Sequence, residues 1–554
     1  MTKLYIPINY NFMNQIKNLM KWATILSVAL LLFSCGEDDP LPTVRYTLST
    51  VALPSEGGSV SPATGQHAQN ASVQVTATAT AGWQFVRWEG DASGNTNPIT
   101  INMTADKAVV AVFEQVSNIE EIEGTLSTRT LTKDKQYLLK GQVFVPNGAT
   151  LTIEPGTIIY GEKRSRATLV IDRGGKLVAK GTKEEPIIMT SAQEPGERDR
   201  GDWGGVVILG RARTNQIDPN IEGIDPPVVF GGTDDEDSSG EMTYMRVEYA
   251  GIELTPNNET NSITMGGVGR GTIMDYLMVS FGGDDGFEWF GGTVNHKYLI
   301  SHSTWDDDLD VDFGYSGNVQ FALVVRNPFF ADQSQSNAFE CDNGPNDNDV
   351  QPYTTGTFSN VTVYGPRDRV GRSISGNNFH SIDLRRRTAV SIFNTVVTGF
   401  PTGLRFNTAS VTQQYDNGVG VLANNIMINP GANFAAGGGA NVEDVERIWS
   451  AANTTLALPA ADQPWEDFYR GFGLKPENFF ARYTLLTYPA NPDFSLLPNG
   501  SLFTGADFSN AKFSEALRAD KFDKTVEFIG AFGTEDWTDG WAEFNPINID
   551  YINK

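Results

Sequence analysis

The sequence predicts a mainly β protein: a right-handed parallel β-helix, preceded by a small N-terminal β-module and closed by a mixed helical and irregular C-terminal cap. Three observations carry this. From about residue 137 the chain is a succession of short β runs separated by glycine, at 150–153, 157–160, 168–171, 176–179, 187–190 and 206–209. Few are joined by hairpin turn chemistry and no helical pattern lies between them, which argues against a βαβ sheet and for a solenoid. An acidic motif also recurs. DDGFEWFG at 284–291 precedes DDDLDVDF at 306–313 by 22 positions, and SNAFECDN at 336–343 follows 30 later. Such periods mark stacked coils, the longer step being one coil with a loop insertion. Finally, 56 glycines and 40% apolar residues in 554 supply many turns and a large core.

Taken in chain order, residues 1–34 read as an export signal. Lys17 and Lys21 precede an apolar run at 22–33, too short to span a bilayer. The run ends Leu32-Phe33-Ser34-Cys35, which resembles a bacterial lipobox and makes Cys35 the predicted site of lipidation. Met20 is an alternative start. Residues 35–45 form an acidic linker, whose Gly36-Glu37-Asp38-Asp39 resembles the surface-export signal of lipoproteins in Bacteroidota. Removing the signal removes Lys3, Lys17 and Lys21 and no acid, so the net charge goes from −26 to −29. That surface repels nucleic acid. Cys341 is the only other cysteine, so no intrachain disulfide is expected.

Residues 46–115 form a unit with its own turns and alternating strands. Gly57-Gly58-Ser59-Val60-Ser61-Pro62, the 73–77 strand, Gly82-Trp83-Gln84-Phe85-Val86-Arg87-Trp88, and closing strands at 99–103 and 108–113 follow in order. This resembles the divergent B-repeat of internalin-type surface proteins, which implies a spacer or adhesion module. Trp83 and Trp88 read as core residues in preference to sugar-stacking ones.

The coil is assigned to 116–440. Strand alternation stacks Phe287, Leu309 and Phe339 inside it, with Trp289, Val311 and Cys341 as the next inward ladder. Cys341 then reads as a small buried hydrophobe. Glu288, Asp310 and Glu340 point outward, beside Phe290, Asp312 and Asp342. The remainder, 441–554, reads as a cap, with helices expected at 442–450, 465–483 and 513–518, since open coil ends recruit other chains.

The stretches GDWGGVVILG (201–210), FGGDDGFEWFGG (281–292) and DDDLDVDFGYSG (306–317), with the terminal Gly530-Ala531-Phe532, Trp537 and Trp541, resemble a family of pectin-lyase-fold surface lipoproteins of Bacteroidota and leptospires. The resemblance implies a role in nutrient capture beside TonB-dependent receptors. It supplies no catalytic residues.

The candidate site is the acid ladder. Carboxylates on strands about 4.8 Å apart repel unless a cation or proton intervenes. Ca²⁺, which takes about six to eight oxygens, is the expected cofactor. Its candidate ligands are Asp284, Asp285, Glu288, Asp306, Asp307, Asp308, Asp310, Asp312, Glu340 and Asp342; the competing reading is a solvated acidic face. Candidate ligand-binding residues are Trp289, Trp305 and Tyr315, to stack on sugar, and Arg385, Arg386 and Arg387. The arginines would serve a lyase or simply neutralise the acids. Asp342, Asp347 and Asp349 lack EF-hand spacing, no histidine has a zinc-ligand spacing, and the 265–271 glycine run lacks the Lys-Ser/Thr of a phosphate loop. The expected function is a non-catalytic lipoprotein that binds a ligand, polysaccharide among the candidates, at the outer-membrane surface, as accessory to a TonB-dependent transporter. The alternatives are a Ca²⁺-dependent polysaccharide lyase or glycoside hydrolase, and an adhesin.

Overall fold

The computed structural model describes residues 44–551, apart from 81–82, 116–117, 222, 256–257 and 430. Cys35, the signal and most of the acidic linker lie outside the described residues. The chain divides into two units, Met1–Ser117 and Asn118–Lys554.

In the first unit, Arg45–Leu53 pairs parallel with Lys107–Gln115 and antiparallel with Gly65–Ala68, while Trp83–Gly90 pairs antiparallel with Lys107–Gln115. A second sheet joins Gly58–Ser61, Ser72–Ala79 and Ile99–Asn102. Alternate residues of these strands form one small core. Trp88 is buried in it with its indole N–H donating to Thr96 O at 2.9 Å, and Trp83 packs half-buried against it.

The second unit is a parallel β-helix. Each strand pairs in parallel with the equivalent strand one coil away, from Gln136–Val145 through to Thr454–Ala457. The repeat registers as alternation predicts: Phe287 lies over Leu309, then Phe339, and Trp289 over Val311, then Cys341. All six are buried in one continuous core, because inward residues of a closed coil have only the neighbouring coils to touch. The ladder continues through Ile382 and Leu404, and through Leu384 and Phe406. Coil strands run past 440: Thr454–Ala457 pairs with Ile426–Asn429.

One corner of the coil is held by residues in left-handed backbone conformation. Tyr244, Tyr276, Tyr298, Phe321, Asn360, Asn394 and Asn424 have φ between 49° and 63°. The aromatics stack at centroid distances of 4.3, 4.3 and 5.1 Å. Asparagine suits such a corner because it tolerates this conformation and its amide bonds locally.

Beyond Ala457 the chain lies along the coil. The outward side chains Met278, Ile300, Leu323, Val325, Tyr364, Val396 and Ile428 are apolar, and they are buried under Tyr469, Phe479, Phe480, Phe494, Phe532, Trp541 and Phe544. Without this strap they would form a long apolar stripe in water. Of the expected cap helices, Val442–Ser450 forms, N-capped by Asn441, and its Val445 and Trp449 join the coil core. The second stops at Trp465–Phe472, where Gly473 turns at φ 93°, and 3₁₀ turns at Pro476–Asn478 and Phe480–Arg482 follow. The third is only a 3₁₀ turn, Ala511–Ser514. A helix at Ala409–Asp416 is not expected from the sequence, since its polar residues show no apolar stripe.

Candidate functional site: an outward row of carboxylates

Six successive strands of one coil face are labelled β1 (Ile263–Gly266), β2 (Phe287–Phe290), β3 (Leu309–Asp312), β4 (Phe339–Cys341), β5 (His380–Leu384) and β6 (Thr402–Phe406). Their outward residues stand in register: Thr264, Glu288, Asp310, Glu340, Asp383 and Arg405. On earlier coils the same face carries Val170 and Val207, covered by Ile221, Ile224 and Phe230 of an inserted loop. The row thus changes from apolar and covered to acidic, and ends on a base. A parallel row begins at Phe290 and reaches Asp312, with Asp342 beside it through the bond from its N–H to Val311 O at 2.8 Å.

The turn before each strand repeats as well. Asp285 accepts from the backbone N–H of Asp307 at 2.8 Å, Asp307 accepts from that of Asn337, and Asn337 Oδ1 accepts from that of His380 at 3.0 Å. Each side chain thereby ties its coil to the next. A carboxylate oxygen of Asp285 and one of Asp307 also converge on the outward row. Ligating oxygens of Asp285, Glu288 and Asp310 lie within 4.8 Å of one another, as do those of Asp307, Asp310 and Glu340, and those of Asp284, Asp285 and Asp306.

The electrostatics of this face are unbalanced. Burial pushes the carboxyls of Asp285, Asp307, Asp310 and Asp312 well above the usual range, and neighbouring carboxylates add to the shift. Burial raises Glu340 to about 7 and Asp342 to about 6, against the pull of Arg385. Arg385 contacts Glu340 and lies 3.3 Å from Asp342, Arg386 pairs with Asp342 at 3.0 Å, and Arg405 holds Asp383 through two bonds. Among the described residues Asp310 has no such partner: its Oδ1 is shut off from solvent with no hydrogen bond, as are Oδ1 of Asp306 and Oδ1 of Asp342. An all-oxygen donor set with unsatisfied buried oxygens fits a hard cation such as Ca²⁺.

Several sequence expectations need correction. Trp289 and Tyr315 are fully buried inside the coil, where the indole N–H donates to His296 Nε2 at 2.9 Å and the phenol donates to Val294 O at 2.8 Å. Neither can stack on a sugar. Asp308 is not available to a metal. It points inward to the buried Arg326 at 3.2 Å and accepts from Ser301 and Thr304 at 2.7 and 2.9 Å. Arg387 lies to one side of the row, 3.8 Å from Asp349. Trp305 is half-buried, with the Arg200 guanidinium 3.6 Å over its ring and its indole N–H donating to Asp332 at 3.0 Å. It lines a cleft of about 640 Å³ with Lys163, Arg166, Arg200, Asp284 and Asp306. Asp383 and Arg405 were missed. The clue to both was Ile-Asp-Leu at 382–384 and Leu-Arg-Phe at 404–406, which repeat the apolar–charged–apolar pattern of β3.

A family model for a pectate-lyase-like β-helix domain matches residues 124–461, more than half of the chain. The chain belongs to the pectate-lyase-like β-helix family. A second model, the divergent internalin B-repeat domain, matches residues 46–117. No curated protein and no solved structure gives a significant match. Within the β-helix family assignment, the acid row falls well inside the matched coils, and the strap beyond Ala457 falls almost wholly outside them.

Proposed function

We propose that this protein is a lipid-anchored binding protein of the outer-membrane surface, which captures an extracellular ligand on a Ca²⁺-loaded acid row and serves a TonB-dependent transporter as accessory. The observation that carries the binding site is the row itself: carboxylates on consecutive rungs, with Oδ1 of Asp310 buried and unsatisfied among them. Asp285, Glu288, Asp307, Asp310 and Glu340 would hold the cation, which supplies positive charge and open coordination positions for ligand oxygens. The adjoining cleft mixes Lys163, Arg166 and Arg200 with Asp284, Asp306 and Trp305, a lining suited to a hydroxyl-rich or charged chain. The lipobox-like Cys35, the acidic linker and the B-repeat module support display outside the cell.

A polysaccharide lyase or hydrolase is the second reading. It is favoured by Glu340, whose carboxyl titrates near 7 against Arg385, as a proton-transfer group would. One experiment separates the two. Binding of the protein to a panel of immobilised polysaccharides is measured with Ca²⁺ and with chelator, and the same polysaccharides are assayed for unsaturated or reducing ends. The binding reading predicts Ca²⁺-dependent retention that Asp310→Ala with Asp312→Ala abolishes, and intact polymer. Release of cleaved sugar would replace it with the enzyme; retention unaffected by chelator would remove the acid row from binding.

A further inference from the structure

The three groups of converging carboxylates are not separate sites. The group of Asp285, Glu288 and Asp310 and the group of Asp307, Asp310 and Glu340 have Asp310 in common. Asp310 sits on the middle of three paired strands, with Glu288 on one side and Glu340 on the other. A carboxylate has two oxygens and about four lone-pair positions, so one side chain can serve a cation on each side. From these relations we propose that the row holds two divalent cations bridged by Asp310. The proposal rests on the cation-binding reading above and specifies its stoichiometry.

Charge and satisfaction both point to a pair. The two groups contain five carboxylates, and among the described residues Arg385 contacts Glu340. With all five ionised, four negative charges remain. Two divalent cations neutralise them; one leaves half uncompensated in a site largely withdrawn from water. Asp310 is also the member of both groups with a buried oxygen that accepts no hydrogen bond. The others are tied elsewhere. Asp285 and Asp307 each accept a backbone N–H, and Glu288 and Glu340 each accept an asparagine amide, from Asn261 and Asn337. Asp342, only 4% exposed and held through Oδ2 by Arg385 and Arg386, likewise leaves its Oδ1 without a hydrogen bond, beside Asp310 and Asp312. The third group, Asp284, Asp285 and Asp306, shares Asp285 with the first but differs in lying beside a buried arginine. Asp306 accepts from Ser334 and its neighbourhood includes Arg326, which bonds its carbonyl.

The test is the count of Ca²⁺ ions bound per chain, by equilibrium dialysis of the full chain after chelator treatment. Two tightly bound ions are expected. Glu288→Gln and Glu340→Gln should each leave one, and Asp310→Asn should weaken both by tenfold or more. Melting in chelator verifies that each variant folds. With Tb³⁺ and Eu³⁺ loaded together, energy transfer between the two lanthanides reports their closeness and should vanish in Glu288→Gln. A count of one in the unaltered chain, or loss of a single ion in Asp310→Asn, overturns the bridged pair and leaves a single-cation site standing. A count of zero overturns both the pair and the reading beneath it.

Discussion

At the scale of single residues, position on the strand decides chemistry. Trp289 and Glu288 are neighbours in sequence, yet one is sealed in the core and the other stands in the acid row. The same logic fixes a pH dependence. In metal-free protein Glu340 titrates near 7, raised by burial above the unfolded value of about 4.3. A carboxyl raised in this way contributes stability that is fully present below the unfolded value and is lost as pH rises through 7. Relative to Glu340→Gln, chelated protein should therefore gain on the order of 1 kcal/mol between pH 8 and pH 6. Urea midpoints at the two pH values measure it, and saturating Ca²⁺ should flatten the difference, because the cation replaces the proton. A gain in the opposite direction would mean that Glu340 is ionised and well paired without metal. The outward placement of Glu288, Asp310 and Glu340 was legible from alternation alone. The inward turn of Asp308 was not, because its partner Arg326 lies 18 positions away and no local pattern links them.

At the scale of elements, the strap and the asparagine corner hold one another. Asn394 has φ 49°, its Oδ1 accepts from Asp507 N at 2.8 Å and from Asn424 Nδ2 at 2.7 Å, and its carbonyl accepts from Gly530 N at 2.8 Å. Asn360 and Asn424 likewise donate to the carbonyls of Phe528 and Gly505. Asn394→Ala removes the amide and places alanine in a strained conformation, at a cost of about 2–4 kcal/mol. Limited proteolysis should then cut within 505–530 much faster than in the unaltered chain. Asn394→Gly, which relieves the backbone but not the lost bonds, should fall between the two. Equal cleavage of all three proteins would show that the strap is held by its aromatic contacts alone. The strands were readable because a coil repeats its pattern. The strap was readable only as a terminal cap, since its irregular backbone follows bonds to side chains hundreds of residues earlier.

At the scale of the whole molecule, stacking turns a local motif into a surface. No single coil gathers more than a few carboxylates, but register places Glu288, Asp310, Glu340 and Asp383 one above another. The same stacking buries Met278, Ile300, Leu323 and Val396 under the strap on another face, so the coil has one face closed by its own chain and one left charged. The acid-rich copies at 284, 306 and 336 made this face legible in the sequence. Its continuation through Asp383 was obscured by the long insertion between β4 and β5. Uptake of divalent cations by this row is read out by thermal unfolding of the full chain across a Ca²⁺ titration. A folded-state site filled at a hundred times its Kd contributes about 2.7 kcal/mol, so melting should rise by several degrees with Ca²⁺ and the rise should be lost in Asp310→Asn. Melting that is the same in Ca²⁺ and in chelator, or a rise that Asp310→Asn leaves intact, would contradict it.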